Sequence, residues 1–501
     1  MIIRRFTRRN QFYILRRQCI SSSTKEHVYD GGEVFDLHEK QTVFKSVFSK
    51  RAFPTRSTDC EVLKTPRCFH QNILKHIRSS KHRISLASLY FGTGKKETEI
   101  VEEIRTACVR NPKLQVRILL DHSRGTRKSP IDGTSSISML SSLCNEFPGQ
   151  FSLSLFLMPQ LWSESASWIP ARWNEIVSVM HVKAYVFDNT LMMSGANLSE
   201  DYFTNRQDRY LVIHSTDRLA GLYHDFVRLL SRFSDIVTTE IRPIERNSAL
   251  RDRLQDELHD FAASYQNDDN SSNNHQSDVS NNNYDSWIVP TFQFGELDLF
   301  HDDETISRIL KGVPYNSVDF ATGYFNMPES LINLLIHDCD IQKVRVLMSS
   351  PEAHGFHSAK GISGALPLAY AERSRLFFER INKLEESSNI SLYEYFRDNW
   401  TFHAKGIWLT CNSENLPWLS VIGSSNFGMR SHCRDIESQL YVCTTDKTLR
   451  QSWNRERTSL WNHANEVNEA LLSEESRQIK GMSLRSGYWI RPVSRLIARF
   501  M

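Results

Sequence analysis

His181 to Asn189 reads HVKAYVFDN and Phe402 to Thr410 reads FHAKGIWLT, and each leads to a Gly and Asn turn, GAN from Gly195 and GSSN from Gly423. Two His-x-Lys elements in one chain suggest a single active site built from two halves. A lone His-x-Lys arises often by chance, so the weight lies in what surrounds it. In the first copy an apolar β-type run, AYVF, separates Lys183 from Asp188. On a strand the period of two puts His181 and Lys183 on one side, where an imidazole and an ammonium converge on a spot suited to a phosphate. A longer spacing also recurs: Asp208 follows Asn197 by eleven residues, and Glu437 follows Asn426 by eleven. Each carboxylate is well placed to accept the second ring N–H of a motif histidine, fixing its tautomer and stabilising its cation. Two ordinary half-buried strands with satisfied histidines would not be expected to repeat at both distances.

The repeat extends upstream. ISLASLYFG from Ile84 and VDFATGYFN from Val318 both read as strands ending in Tyr-Phe, at Tyr90-Phe91 and Tyr324-Phe325. Helical apolar patterns follow, EIVEEIRTAC and SLINLLIHDC, and then second strands, LQVRILLD and VRVLMSS. Strand, helix, strand in that order predicts a right-handed crossover with the strands parallel. The chain is therefore expected to be a tandem duplication of an α/β domain, each half a mixed sheet flanked by helices, sharing one active site.

Length and composition agree. With 501 residues and 40% apolar content, the chain can bury a sizeable core in each of two domains. Its net charge of +3 suggests no nucleic-acid footprint. Nine cysteines (Cys19, Cys60, Cys68, Cys108, Cys144, Cys339, Cys411, Cys433 and Cys443) lack C-x-x-C spacing, which favours free thiols in a reducing compartment over disulfides or zinc. His354 and His357 have no nearby Cys or paired carboxylates to complete a metal site.

The paired His-x-Lys motifs and their Gly/Asn turns resemble the phospholipase D superfamily. Longer strings sharpen the likeness to the eukaryotic CDP-diacylglycerol:glycerol-3-phosphate phosphatidyltransferase family: ASLYFGTG from Ala87, MHVKAYVFDN with LMMSGANLS, SSPEAHGFHSAKGISGALPLAY from Ser349, and YEYFRDNWTFHAKGIW from Tyr393. The similarity covers almost everything from about Val34 to the C-terminus. It implies two tandem phospholipase D-like lobes, with the first spanning residues 34–265 and the second 287–476. The implied catalytic set is His181, Lys183, Asp188, His403 and Lys405. Asn197, Asn426 and Ser424 are the implied substrate contacts, with Asp208 and Glu437 as supporting carboxylates. Thr410 stands where the second copy would match Asp188, the stretch from His403 to Gly423 is six residues longer than its counterpart, and Asn197 falls one residue earlier after its glycine than Asn426 does. The missing aspartate weakens the case for Asp188 as catalytic, since in the superfamily it mainly supports the motif's structure.

The chemistry of these side chains fits the resemblance. A phosphodiester is already anionic, so attack on phosphorus needs cationic and N–H groups around the equatorial oxygens, here Lys183, Lys405, Asn197 and Asn426 with Ser424. One histidine can attack and the other protonate the leaving oxygen; residues alone leave open which does which. Family analogy makes His181 the nucleophile and His403 the acid and then base. The implied substrates are CDP-diacylglycerol and glycerol 3-phosphate, and no metal or other cofactor is required. A divalent cation that helps to bind the diphosphate stays open. Arg124, Arg127, Lys128 and Lys360 are candidates for holding the acceptor's phosphate. Hydrolysis by the same site, in a phospholipase or nuclease, is the alternative; a non-catalytic scaffold would be expected to lose motif residues that are all present.

The remaining segments concern location and linkage. Residues 1–25 carry six arginines among apolar residues and no acid, the composition of a mitochondrial transit peptide. No stretch approaches the roughly 18 to 20 apolar residues a spanning helix requires. Peripheral docking on an anionic membrane is then expected, on the matrix side of the inner mitochondrial membrane. The basic, acid-free tail 477–501, with Tyr488-Trp489, could provide it. Residues 266–286, nearly all Asn, Asp, Ser and Gln, read as a flexible insertion between lobes. FGTGKK from Phe91 lacks the first glycine and the Ser/Thr of an ATP phosphate loop, so ATP is not expected.

Overall fold

The computed structural model describes residues 37–48, 51–129, 132–162, 178–265, 284–357, 366–383, 389–411, 415–472, 478–479 and 482–483. The proposed transit peptide, nearly all of the insertion and of the tail, and Lys360 lie outside the described residues.

Two large mixed sheets carry the duplication. Across the first, the strands run Ile241–Arg242, Asp235–Val237, Phe151–Phe156, Gln115–Asp121, Arg83–Ser88, Ala184–Phe187, Thr190–Ser194, Tyr210–Ile213 and Cys60–Leu63. Across the second they run Phe53–Thr55, Ser286–Phe294, Glu437–Thr444, Leu419–Gly423, Gly406–Thr410, Ser317–Thr322, Val344–Ser349, Ile390–Tyr395 and Ala464–Glu466. The expected crossovers are present. Ile84 pairs in parallel with Val116, and Val318 with Val344. The helix Lys95–Arg110 makes the first crossover, burying Ile100, Val101, Ile104, Ala107 and Cys108 at helical spacing. Both strands it joins are largely buried along their length, as parallel strands covered on both faces are.

Each sheet has an outer core of its own, around Phe69, Ile104 and Tyr185 in the first lobe and around Phe320, Val346 and Tyr441 in the second. Between them a third cluster joins Met180, Val182 and Tyr223 to Phe292, Phe402, Ala404 and Trp408, so the lobes share apolar surface and form one compact unit. Arg209 closes this junction. It is buried, donates to Val421 O at 2.7 Å, Ser420 Oγ at 2.7 Å and Glu456 Oε2 at 2.8 Å, and lies 3.8 Å from the Trp408 ring centre.

Two boundaries differ from the sequence reading. The helix Leu37–Phe48 buries Phe44 and Phe48 in the second lobe's core, and Phe53–Thr55 pairs with Ser286–Phe294, so residues 37–55 belong with the second lobe although they precede the first. The second lobe also begins before Trp287: the Asp285 carboxylate accepts from Ser57 N at 2.7 Å and Ser57 Oγ at 2.6 Å, and Ser286 opens the strand. Neither shift changes the repeat.

One buried charge cluster makes a stability prediction. Asp319, in the middle of the second sheet, accepts from Arg345 Nε at 2.5 Å and from Arg457 NH1 at 2.7 Å and is fully buried. Asp319→Ala strands two largely buried guanidiniums and is expected to cost about 3 kcal/mol or more. Thermal or urea denaturation would read this as a lower midpoint; a shift worth under about 1 kcal/mol would contradict it.

Candidate active site

The two lobes build the site by exchanging short backbone segments. Val179 and His181 pair with Ile436 across the junction, with His181 N–H donating to Ile436 O at 2.9 Å and Ile436 N–H to Val179 O at 3.1 Å. The second half does the same in reverse: His403 N–H donates to Gln207 O at 2.8 Å. Asp208 and Glu437 are the next residues after Gln207 and Ile436, so each carboxylate is delivered to the other lobe's histidine. His181 Nδ1 lies 3.0 Å from both Glu437 oxygens, and His403 Nδ1 lies 2.7 Å from Asp208 Oδ2. With both Nδ1 atoms engaged, each Nε2 is the nitrogen left for chemistry.

His181, Lys183, His403 and Lys405 are all buried. They sit on extended lead-in segments rather than within strands, which start at Ala184 and Gly406, but the alternation of side chains still holds them together. Lys405 Nζ lies 2.9 Å from His403 Nδ1, while Lys183 Nζ donates to His181 O at 2.6 Å. Gly195 has no room for a side chain: a methyl there would meet the Asp208 carboxylate at 2.6 Å and the Lys405 stem at 3.0 Å. The first lobe's glycine turn therefore lets the second lobe's lysine through.

Burial sets the electrostatics. It pushes Lys183 well below the ordinary ammonium range, with the Lys405 charge adding to the effect, and brings Lys405 to about 8 against the pull of Asp208 and Glu437. Both imidazoles are pushed down, chiefly by burial; Lys405, Arg206 and Lys183 push His403 further. The carboxylates diverge. Burial raises Asp208 to about 6 despite Lys405, whereas at Glu437 the same penalty is outweighed by His181 and Lys183, which hold it at about 2. Two buried lysines whose charged forms repel each other favour the entry of an anion between them.

The asparagines are only partly engaged. Asn197 Nδ2 donates to Tyr202 OH at 3.1 Å, and the Oδ1 atoms of Asn197 and Asn426 are buried without a partner among the described residues. Rotating either amide by half a turn would present N–H at that point. Ser424, grouped with them in the sequence, has another role: its hydroxyl accepts from Ser438 N at 3.0 Å and donates to Ser438 O at 3.3 Å, bracing the turn beside Glu437.

Asp188 requires a correction. It lies at the far end of the strand, roughly 16 Å along the chain from Lys183. There it forms the tip of the two-residue link to Thr190–Ser194, in the left-handed region at φ 49°, which aspartate tolerates. Its carboxylate accepts from the backbone N–H groups of Lys81, His82 and Arg83 at 2.7, 2.8 and 2.9 Å. It fastens the hairpin to the start of the Arg83–Ser88 strand and takes no part in the site. In the second hairpin the strands are farther apart in sequence, and Thr410, which matches Asp188, is the last residue of the Gly406–Thr410 strand.

Sequence reading missed three groups. Tyr202 OH lies 3.2 Å from His403 Nε2, and Ser431 Oγ donates to Glu437 Oε1 at 2.7 Å. These two are equivalent, each five residues after its asparagine, so the spacing that exposed the carboxylates could have found them. Tyr324, two residues past the Ser317–Thr322 strand, meets the His403 ring edge to face at 5.6 Å. Of the cationic loop residues, Arg124 stacks on Tyr90 at 4.8 Å, on the short helix His122–Gly125 after the Gln115–Asp121 strand. The FGTGKK glycines pack against carboxylates instead of facing an anion, since a methyl at Gly92 would strike Glu97 and one at Gly94 would strike Glu200.

Residues 73–230 match the family described as cardiolipin synthase, PLD-like domain. The chain is 34% identical to a Dictyostelium discoideum protein named probable CDP-diacylglycerol--glycerol-3-phosphate 3-phosphatidyltransferase, over 92% of this chain and 81% of that one. It is 32% identical to the human protein of that name, designated mitochondrial, over 89% and 84%. The chain belongs to the CDP-diacylglycerol--glycerol-3-phosphate 3-phosphatidyltransferase family. It is a transferase of the phospholipase D superfamily. The fold of this family member matches the crystal structure of phosphatidylserine synthase from Haemophilus influenzae, with TM-score 0.70 and 20% identity over 92% of this chain and all of that one. The family's second lobe, which lies outside the matched residues 73–230, carries half of the site described above.

Proposed function

We propose that this phosphatidyltransferase moves the phosphatidyl group of CDP-diacylglycerol to glycerol 3-phosphate, releasing CMP and forming phosphatidylglycerophosphate. Membership of the family supports the substrates; the reciprocal His181–Glu437 and His403–Asp208 pairs carry the mechanism. His181 Nε2 attacks the phosphorus next to diacylglycerol, a P–N bond forms, and the P–O bond to CMP breaks as His403 gives a proton to the departing oxygen. The acceptor's primary hydroxyl then attacks, His403 takes its proton, and the P–N bond breaks to restore His181. Lys183, Lys405, Asn197 and Asn426 surround the equatorial oxygens, and two positive groups in a dry site stabilise the charge of the transition state. The chemistry needs no metal or nucleotide cofactor.

The reaction would form the precursor of phosphatidylglycerol and cardiolipin. The basic, acid-free residues 1–25 and the relatives designated mitochondrial support a mitochondrial location. Among the described residues no helix is long and apolar enough to cross a membrane, and the basic tail supports peripheral docking on an anionic leaflet, on the matrix side of the inner membrane.

The test is to incubate protein lacking residues 1–25 with CDP-diacylglycerol in mixed micelles, with and without labelled glycerol 3-phosphate. Label entering lipid, with CMP release dependent on the acceptor or greatly increased by it, is the expected outcome. CMP and phosphatidic acid formed equally well without acceptor would make the protein a hydrolase.

The same groups predict a bell-shaped pH profile of kcat/KM. Below pH about 6 Asp208 is protonated and no longer stabilises the His403 cation; above about 8 Lys405 loses its charge. Asp208→Asn is expected to remove the acid limb, and a profile flat from pH 5 to 9 would contradict the assignment.

A further inference from the structure

On the His403 side of the site lies a group of residues that the chemistry above does not use. Arg206 stacks its guanidinium 4.7 Å from the Tyr202 ring centre, the same tyrosine whose hydroxyl touches His403 Nε2. The guanidinium is held from behind by Thr401 Oγ1 at 3.0 Å and Asp201 Oδ2 at 3.2 Å, and its NH1 makes no hydrogen bond among the described residues. The backbone around it crosses the lobe junction, Arg206 pairing with Thr401 and Gln207 with Phe402. Opposite stands the loop after Val344–Ser349. A methyl at Gly355 would lie 3.1 Å from Tyr324 OH and 3.6 Å from Arg206 NH2, so loop, phenol and guanidinium converge.

His354, next to Gly355, is 2% exposed, and its Nε2 has no partner among the described residues. Its ring lies 4.9 Å from Tyr324 and 5.1 Å from Tyr370, and it lines a small cleft with Tyr370, Ser349 and Glu394. A buried imidazole with one nitrogen unsatisfied is costly unless something binds there.

The duplication supplies a second observation. Arg206 pairs with Asp201, five residues earlier; at the equivalent positions of the other half, Arg430 pairs with Asp435, with donor and acceptor exchanged. Each half thus keeps one guanidinium in this ion pair, but only the Arg206 copy stacks on the tyrosine that touches His403.

We propose that Arg206, with Tyr324 and His354, forms the subsite for the phosphate monoester of the acceptor. This rests on the transferase reading above. The acceptor hydroxyl must lie at His403 Nε2 to surrender its proton, and in glycerol 3-phosphate the phosphate is three carbons away. Arg206 lies over the face of Tyr202, whose hydroxyl is 3.2 Å from Nε2, so a cation stands within one side chain of the place where the acceptor hydroxyl reacts. Water, lacking the anionic end, gains nothing from it, which favours transfer over hydrolysis. A guanidinium suits the task, because it can offer paired N–H groups to phosphate while Thr401 and Asp201 hold it flat.

The test compares two acceptors on the same protein. Full-length wild type, Arg206→Gln and His354→Ala are supplied with CDP-diacylglycerol and either glycerol 3-phosphate or glycerol, and the ratio of kcat/KM for the two acceptors is measured. Because both acceptors are read on one sample, partial misfolding cancels. Arg206→Gln is expected to lower the ratio about ten- to a hundredfold, mainly through KM for glycerol 3-phosphate, with His354→Ala lowering it less. Arg206→Lys is expected to recover part of the loss. A ratio unchanged in Arg206→Gln would overturn the subsite while the transferase stands. Wild-type protein that transfers to neither acceptor would overturn the transferase reading and the subsite with it.

Discussion

His181→Ala is expected to lower kcat by about four orders of magnitude or more and to leave the protein folded. The chemical reason is that no covalent intermediate can form without an Nε2 lone pair at the phosphorus. The structural reason for an intact fold is local. Loss of the imidazole removes one partner of Glu437, but Ser431 Oγ still donates to Oε1 and the Lys183 charge still acts on this carboxylate. The backbone bond from residue 181 to Ile436 O does not depend on the side chain. His403→Ala is also expected to be inactive in turnover, yet different in one respect. It retains the nucleophile and lacks the acid and base, but CMP departs as a phosphate that can leave without a proton, so protein given CDP-diacylglycerol labelled at the phosphatidyl phosphorus should slowly accumulate acid-labile label. His181→Ala should accumulate none. Label found on His181→Ala and absent from His403→Ala would reverse the two roles.

The fold was largely legible because duplication repeats the evidence. Tyr90 and Tyr324 each follow the end of an equivalent strand by two residues, Ile84 and Val318 lie in equivalent parallel pairs, and the apolar patterns between are long enough to fix strand and helix. The histidines, lysines, asparagines and carboxylates were legible for the same reason, through matched spacing. Pairing across the lobes was not. In a repeat, Asp208 with His181 and Asp208 with His403 have the same local pattern, and only the tertiary exchange of residues 179–181 and 434–436 decides between them. The role of Asp188 was hidden by its neighbours: a motif aspartate close in sequence to a catalytic lysine sits at the other end of a strand, and extended chain carries it away from the site. Phe53–Thr55 could not be assigned to a sheet by pattern, because three residues hold no period and the strand's partner is more than two hundred residues later.

That exchange between lobes yields the second large effect. Glu437→Gln and Asp208→Asn are each expected to lower kcat about a thousandfold, at different steps. A glutamine at 437 turns an amide N–H toward His181 Nδ1, which must then accept, and the imidazole proton moves to Nε2. The nucleophilic lone pair is lost, so CMP release itself slows. An asparagine at 208 keeps the oxygen that accepts from Arg209 N but withdraws the charge that supports the His403 cation. Proton removal from the acceptor then becomes slow. Rapid mixing with CDP-diacylglycerol separates the cases: Asp208→Asn should retain more of the early burst of CMP than Glu437→Gln and lag in lipid product. If each carboxylate served the histidine of its own half, the two phenotypes would be exchanged. The deciding contact is the bond from His181 N–H to Ile436 O, which sets residue 437 beside residue 181 and makes the first histidine's chemistry depend on the second lobe.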